Sequence, residues 1–425
     1  MLSSNEWRAE ALEHGAVPLI EKTLRRIRAQ DRHFNAISVL LDDEALAAAA
    51  DLDSSTDPGP LHGVPVLIKE EVAVRGVPTT FGTNANPTPA TADDEIVLRL
   101  RKAGAIILGK TTMPAFGAFP FTESEARGIT RNPHNPRYTP GGSSGGSAVA
   151  VAAGWVPFAV GGDGGGSIRI PSAHCGLYGL KPARGTLPGE DLWCRLGTAG
   201  PIARSARDCA LLFDALSDSV ATETEGASLR IGVSLQPSTP LTPPHRDHVR
   251  AVRAMADRLR GMGHEVRNCT LQHKDPTAAF VTQFFAGIRK EIAQLEYPGR
   301  IERRHKVTRA AGVWAQGPVL RWAEEFSDRL GEQLDRVFDD FDVLLTPTVA
   351  SRPAHAGVLS GKGMLAAQIA SLPSVAYTAL WNVSGHPAMS IPAGKGSDGL
   401  PVGVQLVARD ERLLLELASA SSPAP

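Results

Sequence analysis

The sequence predicts an α/β fold, in which one large domain holds a central mixed β-sheet covered by helices on both faces. Two observations favour this fold. Short apolar runs alternate with helical patterns through the first half of the 425-residue chain, as strands and their crossover helices do. Strand-like runs also return near the C-terminus, at residues 343–345, 389–391 and 402–407. The last part of the chain is therefore expected to rejoin the first sheet.

The elements of the first half follow from hydrophobic periodicity and from helix stop signals. Apolar runs predict strands at residues 64–68, 105–108 and 156–160. Helical patterns predict a helix at residues 95–102 and a tightly packed helix of small residues at 144–153. The third strand leads into a glycine-rich turn, so a loop is expected at that edge of the sheet.

The second half combines sheet elements with a long helical stretch. Strands are predicted at residues 229–233 and 264–266, on either side of a strongly amphipathic helix at 244–260. Residues 276–341 are helix-rich and carry many Arg and Glu side chains. They are therefore expected to pack as a helical cover on the sheet, where such a cover often shapes a pocket.

This organisation predicts a single domain over residues 1–425. Its core is placed at about residues 62–210 and a variable helical cover at about 225–335. The return to the sheet is placed at about residues 340–418. A chain of this length can hold a large core without dividing into separate domains.

Charge and cysteine content disfavour several classes of function. The 44 Lys and Arg residues balance 45 Asp and Glu residues, so no charge excess indicates binding to nucleic acid or to a membrane surface. The cysteines have neither the spacing of a disulfide framework nor that of a zinc site. The N-terminus is polar, and no apolar run reaches the length of a membrane-spanning helix. The sequence therefore predicts a cytoplasmic protein whose partner is a small molecule, with a homodimer left open.

Three segments carry candidate chemistry, at residues 65–70, 141–147 and 161–169. Taken alone, either glycine-rich segment is more typical of a turn than of a catalytic loop. The two are joined by the predicted helix and strand, which brings both loops to the same edge of the sheet. Lys69 ends an apolar strand that is expected to be buried on both faces. Burial disfavours a charged amine, and a neutral amine can act as a base.

Residues 104–111 match the phosphate-loop pattern G-x-x-x-x-G-K-[ST]. A phosphate cradle needs an open loop after a strand, whereas the four middle residues of this match are apolar and strand-like. We interpret the segment as a buried strand that runs into a turn. Nucleotide binding is accordingly disfavoured.

Residues 141–145 match G-x-S-x-G, the nucleophile elbow of α/β-hydrolases, with Ser143 as the nucleophile. That elbow must follow a strand. The preceding residues 132–140 contain three prolines, which a central strand does not accommodate. An esterase of the α/β-hydrolase type that uses Ser143 is therefore the second hypothesis.

Together these segments resemble the amidase signature family. The resemblance is carried by the glycine- and serine-rich stretch 141–182, with its second serine loop at 166–171 and its closing run at 175–182. Similar segments outside that stretch lie at residues 62–65 with Lys69, 109–113, 200–204, 342–347, 385–388 and 399–405. The resemblance covers about residues 15–418 and implies the family's single α/β domain.

The resemblance implies a Ser-Ser-Lys triad that hydrolyses carboxamides without a metal or organic cofactor. Ser167 would be the nucleophile that carries the acyl group. Ser143, after a cis peptide bond to Gly142, would bridge Ser167 to Lys69, and Lys69 would be the final proton acceptor. A hydroxyl relay to a neutral amine can activate a serine in this way.

The same resemblance gives the glycines before Ser167 a role. Backbone N–H groups of Gly164, Gly165, Gly166 and Ser167 would form the oxyanion hole, which stabilises charge that develops in the transition state. Asp163 and Arg169 are expected to support this loop, because an oxyanion hole must be rigid to be preorganised.

The sequence departs from the family pattern close to the site. Gly162 and Gly164 flank Asp163, where the family commonly has hydroxyl residues, and Glu70 replaces a more frequent aspartate. Residues 189–194 are also unlike the family. None of these departures touches the triad, so they bear on the substrate rather than on the reaction.

The substrate is the least determined part of the prediction, and its binding residues are unknown from the sequence. Phe116, Phe119, Trp193 and Trp314 lie in segments that could line an acyl pocket. A small or medium carboxamide is expected, giving a carboxylate plus ammonia or an amine. A glutaminase-type subunit of an amidotransferase is the remaining alternative, disfavoured because residues 185–200 do not resemble that subunit.

Overall fold

A computed structural model describes residues 1–189, 193–218, 228–239 and 241–421. Within these ranges the strands are β1 (Ile37–Leu40), β2 (Pro65–Lys69), β3 (Ile106–Thr111), β4 (Glu123–Ser124), β5 (Gly128–Ile129), β6 (Phe158–Asp163), β7 (Tyr178–Lys181), β8 (Thr198–Ala203), β9 (Arg230–Val233), β10 (Glu265–Asn268), β11 (Val343–Pro347), β12 (Ala388–Lys395) and β13 (Pro401–Val407).

In the described part of the chain, eleven strands form one mixed sheet in the order β1-β3-β2-β6-β8-β7-β12-β13-β11-β9-β10. Parallel pairing joins β3, β2 and β6 and, at the far end, β11, β9 and β10. The strands between them pair antiparallel. The sequence prediction of a mixed sheet that the C-terminal strands rejoin is confirmed, because β12 and β13 occupy its middle.

The α-helices within the described ranges are α1 (Ser4–His14), α2 (Ala16–Asp31), α3 (Asp42–Asp53), α4 (Glu95–Lys102), α5 (Gly145–Ala152), α6 (Arg169–Cys175), α7 (Ala206–Leu216), α8 (Arg246–Gly261), α9 (Thr277–Ala293), α10 (Arg303–Ala311), α11 (Gly317–Asp335), α12 (Val337–Asp340), α13 (Met364–Val375), α14 (Ala379–Ser384) and α15 (Glu411–Ala420). None of them is long and apolar enough to cross a membrane.

Helices cover both faces of the sheet, and strand β2 shows how. Val66 and Ile68 are buried in a cluster with side chains of α4, α7, α8 and α15. Leu67 lies in a different cluster, with side chains of α2 and α5. Alternate residues of a strand point to opposite faces, so β2 contributes to the core on each side. Lys69, two residues after Leu67, is on the face that α5 covers.

The stretch predicted as a helical cover contains helices α9 to α12. Apolar side chains of α9 and α11, including Phe284, Ile288 and Leu330, share a buried cluster with Leu344 of β11 and Val407 of β13. The cover therefore packs on the sheet through its own apolar core, as the sequence indicated. Its N-terminal neighbours β9 and β10 extend the sheet itself.

The segment that matched a phosphate loop is strand β3. All six of its residues are buried, and Gly109 approaches the backbone of β1 so closely that a Cβ would lie 2.1 Å from the Val39 carbonyl oxygen. Lys110 donates to the Pro78 carbonyl at 3.2 Å, and burial lowers its pKa to about 8. A lysine held inside the protein in this way does not present its amine to a nucleotide.

Candidate active site

Lys69 ends β2 inside the protein, with its side chain 2% exposed. Its Nζ lies 2.8 Å from Ser143 Oγ and 3.3 Å from the Gly162 carbonyl oxygen. Oε2 of Glu71 is 3.1 Å away on a third side. The strand thus delivers the amine to a serine hydroxyl 74 residues further along the chain.

Ser143 lies in the loop that precedes α5, after a cis peptide bond from Gly142. No strand leads into this loop, since the preceding strands β4 and β5 form a separate short hairpin. The nucleophile elbow that the G-x-S-x-G match suggested is therefore wrong for Ser143. A Cβ on Gly142 would come within 2.8 Å of the Phe121 nitrogen, so only glycine fits there.

Ser167 lies in the loop between β6 and α6, eight per cent exposed. Its loop is fixed from within by Asp163, whose carboxylate accepts hydrogen bonds from the Gly166 N–H at 2.7 Å and from the Ile168 N–H at 3.1 Å. The Arg169 guanidinium donates to the same carboxylate at 2.9 and 3.0 Å. Asp163 and Arg169 support the loop as expected.

The Asp163 carboxylate is ionised although it is fully buried. Burial by itself raises its pKa, but the charge and hydrogen bonds of Arg169 and a hydrogen bond from Asn382 act in the opposite direction, so the net pKa lies well below the usual range. Asn382 of α14 also donates to the Asp163 carbonyl oxygen at 2.9 Å. Helix α14 therefore anchors the loop of Ser167 to the C-terminal half of the chain.

One member of the predicted oxyanion hole has another partner. The Gly166 N–H already donates to Asp163 Oδ1, so it holds the loop together and does not point to a substrate. Gly166 is needed for a different reason: its φ is +123°, and a Cβ would lie 2.4 Å from Thr378 Oγ1. In this structure the Gly166 N–H is therefore occupied by Asp163, and Gly164, Gly165 and Ser167 are the candidate donors whose N–H groups are not assigned to that carboxylate.

A polar cavity of about 270 Å³ brings the three predicted catalytic side chains together. Lys69, Ser143 and Ser167 line it, together with Glu71 and Trp193. Glu71 was not identified from the sequence, where two consecutive acidic residues after a strand look like an ordinary exposed turn.

An apolar pocket of about 820 Å³ opens on the other side of Ser167. Its lining residues include no charged side chain among those the structure describes, and they are Gly117, Ala118, Phe119, Pro120, Gly165, Ser167, Ile170, Trp193, Ser238, Thr239, Pro276, Thr277, Phe280, Val281, Phe284, Gln368, Ser371, Leu372, Val375 and Ala379. Phe119 and Trp193 line it, as suggested, but the other two aromatic candidates do not. Phe116 instead packs against His305. Trp314 packs against Phe285 and is 47% exposed.

Trp193, like Ser167, lines both the polar cavity and the apolar pocket. Its Nε1 donates to Glu291 Oε1 of α9 at 2.6 Å. Burial, reinforced by the charge of Glu71, raises the pKa of Glu291 well above its usual range. On its other side the indole covers Gly164, where a Cβ would lie 2.8 Å from the ring. Gly164 and Trp193 both lie where the sequence departs from the family pattern, and the absence of a side chain at Gly164 leaves room for the indole.

Comparison with known proteins identifies the family of this chain. The model of the Amidase family matches residues 18–414. The chain belongs to the Amidase family. Its relatives include the protein named "Putative amidase AmiB2" from Mycobacterium tuberculosis, 40% identical over 97% of this chain and 94% of that protein. The "Acylamidase" of Rhodococcus erythropolis is 31% identical, over 99% of this chain and 94% of that protein.

Two solved structures are similar to this amidase over almost its whole length. The structure of 6-aminohexanoate cyclic dimer hydrolase superposes with a TM-score of 0.90 at 30% identity, covering 99% of this chain and 96% of that one. A bacterial aryl acylamidase of the amidase signature family gives a TM-score of 0.85 at 26% identity, covering 99% and 95%. This amidase is therefore a single-domain amidase signature enzyme that acts on amide C–N bonds.

Proposed function

We propose that this amidase hydrolyses carboxamides through an acyl-enzyme on Ser167, with Ser143 and Lys69 as the proton relay. The observation that carries the proposal is the 2.8 Å contact between Lys69 Nζ and Ser143 Oγ. It lies inside the polar cavity that Ser167 also lines. A hydroxyl in contact with a buried amine can pass a proton from one side to the other.

The first half of the reaction forms the acyl-enzyme. Ser167 Oγ attacks the amide carbonyl carbon while its proton passes to Ser143 Oγ, and the Ser143 proton passes to Lys69 Nζ. The C–N bond then breaks, and the same relay returns the proton to the leaving nitrogen as ammonia or an amine departs. Ser167 is left esterified by the acyl group.

The second half frees the enzyme. Water attacks the ester carbonyl carbon and gives its proton to the relay, the bond between the acyl carbon and Ser167 Oγ breaks, and Ser167 regains a proton. In both halves the N–H groups of Gly164, Gly165 and Ser167 would donate to the developing oxyanion. The nucleophile, the proton relay and the oxyanion donors in these steps all belong to the chain itself.

The apolar pocket beside Ser167 favours an uncharged acyl group with a sizeable apolar part. Phe119, Phe280 and Phe284 offer ring faces and edges to such a group. Glutamine brings an ammonium and a carboxylate, for which the described lining offers no charged partner. The geometry thus supports an amidase that works alone over a glutaminase-type subunit. A cytoplasmic location and a homodimer stay predictions from the sequence.

Labelling of the intact protein with a fluorophosphonate tests the nucleophile. We expect one adduct, mapped by mass spectrometry to the peptide that carries Ser167, and loss of both labelling and amide hydrolysis in Ser167→Ala. The loss should be about 10⁴-fold or more, as for other serine nucleophiles. Ser172→Ala is the matched control, because Ser172 is a buried serine of α6 whose hydroxyl donates to the Ile168 carbonyl oxygen at 2.8 Å. Full activity of Ser167→Ala would overturn the assignment.

A further inference from the structure

Glu71 is an acidic residue inside the site for which the triad has no role. It follows β2 by two residues, its side chain is 12% exposed, and its Oε2 lies 3.1 Å from Lys69 Nζ. The neighbouring Glu70 turns away, since its Oε1 accepts from Arg127 at 2.6 and 2.9 Å. Only one of the two consecutive acids therefore reaches the catalytic amine.

The valence of an amine shows what this contact does. A neutral lysine amine has two N–H donors and one lone pair. Around Lys69 Nζ lie two groups that can only accept, the Glu71 carboxylate and the Gly162 carbonyl, and one hydroxyl, that of Ser143. When the two N–H bonds point to the two acceptors, the lone pair points to Ser143.

Gly162 makes this arrangement sterically possible. A Cβ at position 162 would lie 1.9 Å from Glu71 Oε1 and 3.5 Å from Lys69 Nζ. Any side chain at that position would therefore displace the carboxylate. Gly162 is also one of the two glycines that replace the hydroxyl residues common in the family. The departure at 162 and the carboxylate of Glu71 thus form a matched pair.

We propose that Glu71 is a positioning residue that orients the lone pair of Lys69 toward Ser143, and that Gly162 makes room for the Glu71 carboxylate. The inference rests on the proposed relay from Ser167 through Ser143 to Lys69. It extends that relay by one residue, which acts through the lysine and does not touch the substrate.

The test compares Glu71→Leu, which removes the acceptor, with Glu71→Gln, which keeps an acceptor oxygen and removes the charge. We measure the rate of Ser167 labelling by a fluorophosphonate and the rate of 4-nitroacetanilide hydrolysis. Glu71→Leu should slow labelling about 10²-fold. Glu71→Gln should stay within about tenfold of wild type, because its amide oxygen still accepts a hydrogen bond from Lys69 Nζ. Wild-type rates in both variants would overturn the proposal.

Glu70→Gln is the matched control, because it alters the adjacent buried acid that binds Arg127. It should lower the melting temperature and leave the rates of labelling and hydrolysis close to those of wild type. A purely structural role of Glu71 would give the same pattern as this control. If Ser167→Ala and Lys69→Ala stay active, the proposed relay is contradicted. If they are inactive while both Glu71 variants behave as wild type, only the proposed role of Glu71 is contradicted.

A second pair of variants tests the match with Gly162. Gly162→Ser alone should reduce labelling at least tenfold, because its side chain collides with the Glu71 carboxylate. In Gly162→Ser/Glu71→Ala the collision is gone and a hydroxyl occupies the vacated space, so labelling should recover from the level of Gly162→Ser. Equal losses in the single and double variants would contradict the pairing.

Discussion

The two serine loops of this amidase use glycine for different purposes. In the loop of Ser143, a Cβ on Gly142 would meet backbone atoms of Pro120 and Phe121. At the end of β6 and in the loop of Ser167, Cβ atoms on Gly162, Gly164 and Gly165 would meet the side chains of Glu71, Trp193 and Phe280. Gly142 is thus confined by the backbone of the fold, whereas these three glycines are confined by side chains that can move. Substitution should therefore be more damaging at Gly142 than at the glycines before Ser167.

The largest effect is expected at the backbone-confined loop. Gly142→Ala places a methyl group against backbone atoms of Phe121. Backbone atoms cannot move aside as the end of a flexible side chain can. Ser143 would be displaced, and a shift of about 1 Å at a catalytic group can cost 10²-fold in rate. We expect kcat to fall by at least about 10²-fold. The measurement is steady-state hydrolysis beside thermal unfolding of the same variant. Wild-type kcat would remove the distinction between the two loops.

An intermediate effect is expected where a side chain can move. Gly164→Ala would press on the Trp193 indole, and we expect a fall in kcat/KM of about tenfold. In Gly164→Ala/Trp193→Ala the collision is absent, so the two changes should be less than additive by about 0.5–3 kcal/mol. A double-mutant cycle on kcat/KM for aryl amides measures this coupling. Strict additivity would show that the indole does not confine Gly164.

The smallest effect is expected on stability at Glu291, behind Trp193. Its pKa is raised by burial, so the folded protein binds a proton that the unfolded chain releases. The stabilisation is complete below the unfolded pKa and is lost as pH rises toward the folded pKa. Glu291→Gln imitates the protonated carboxyl and keeps an acceptor for Trp193 Nε1. The fall in unfolding free energy as pH rises above the unfolded pKa of about 4.3 should therefore be smaller in this variant than in wild type. An unchanged pH dependence would contradict a protonated Glu291.

The sequence predicted the parts of the molecule that depend on local pattern. The apolar runs that became β2, β3 and β6 could be recognised, because central strands are buried on both faces. Lys69, Ser143 and Ser167 were identified through motifs that lie within these elements and their loops, and the structure places all three around one cavity. Their roles remain to be tested by the variants above.

The parts that were missed depend on contacts between distant segments. Glu71 comes together with Gly162 of β6, and Trp193 with α9 and Gly164, only when the chain folds. The engagement of the Gly166 N–H by Asp163 depends on one loop conformation, which composition does not specify. Strands β1, β7 and β8 were not recognised, since they are short or carry glycine and proline that weaken a strand pattern.

The anchoring of Asp163 by Asn382 has a consequence for the nascent chain. The two residues are 219 positions apart, and Asn382 also donates to the Leu196 carbonyl oxygen. Asp163 in turn holds the Gly166 N–H and the Arg169 guanidinium. A chain emerging from the ribosome therefore carries Ser167 long before it carries Asn382, which fastens the surrounding loop. We expect a fragment that ends before α14 to contain Lys69, Ser143 and Ser167 and still to lack hydrolytic activity.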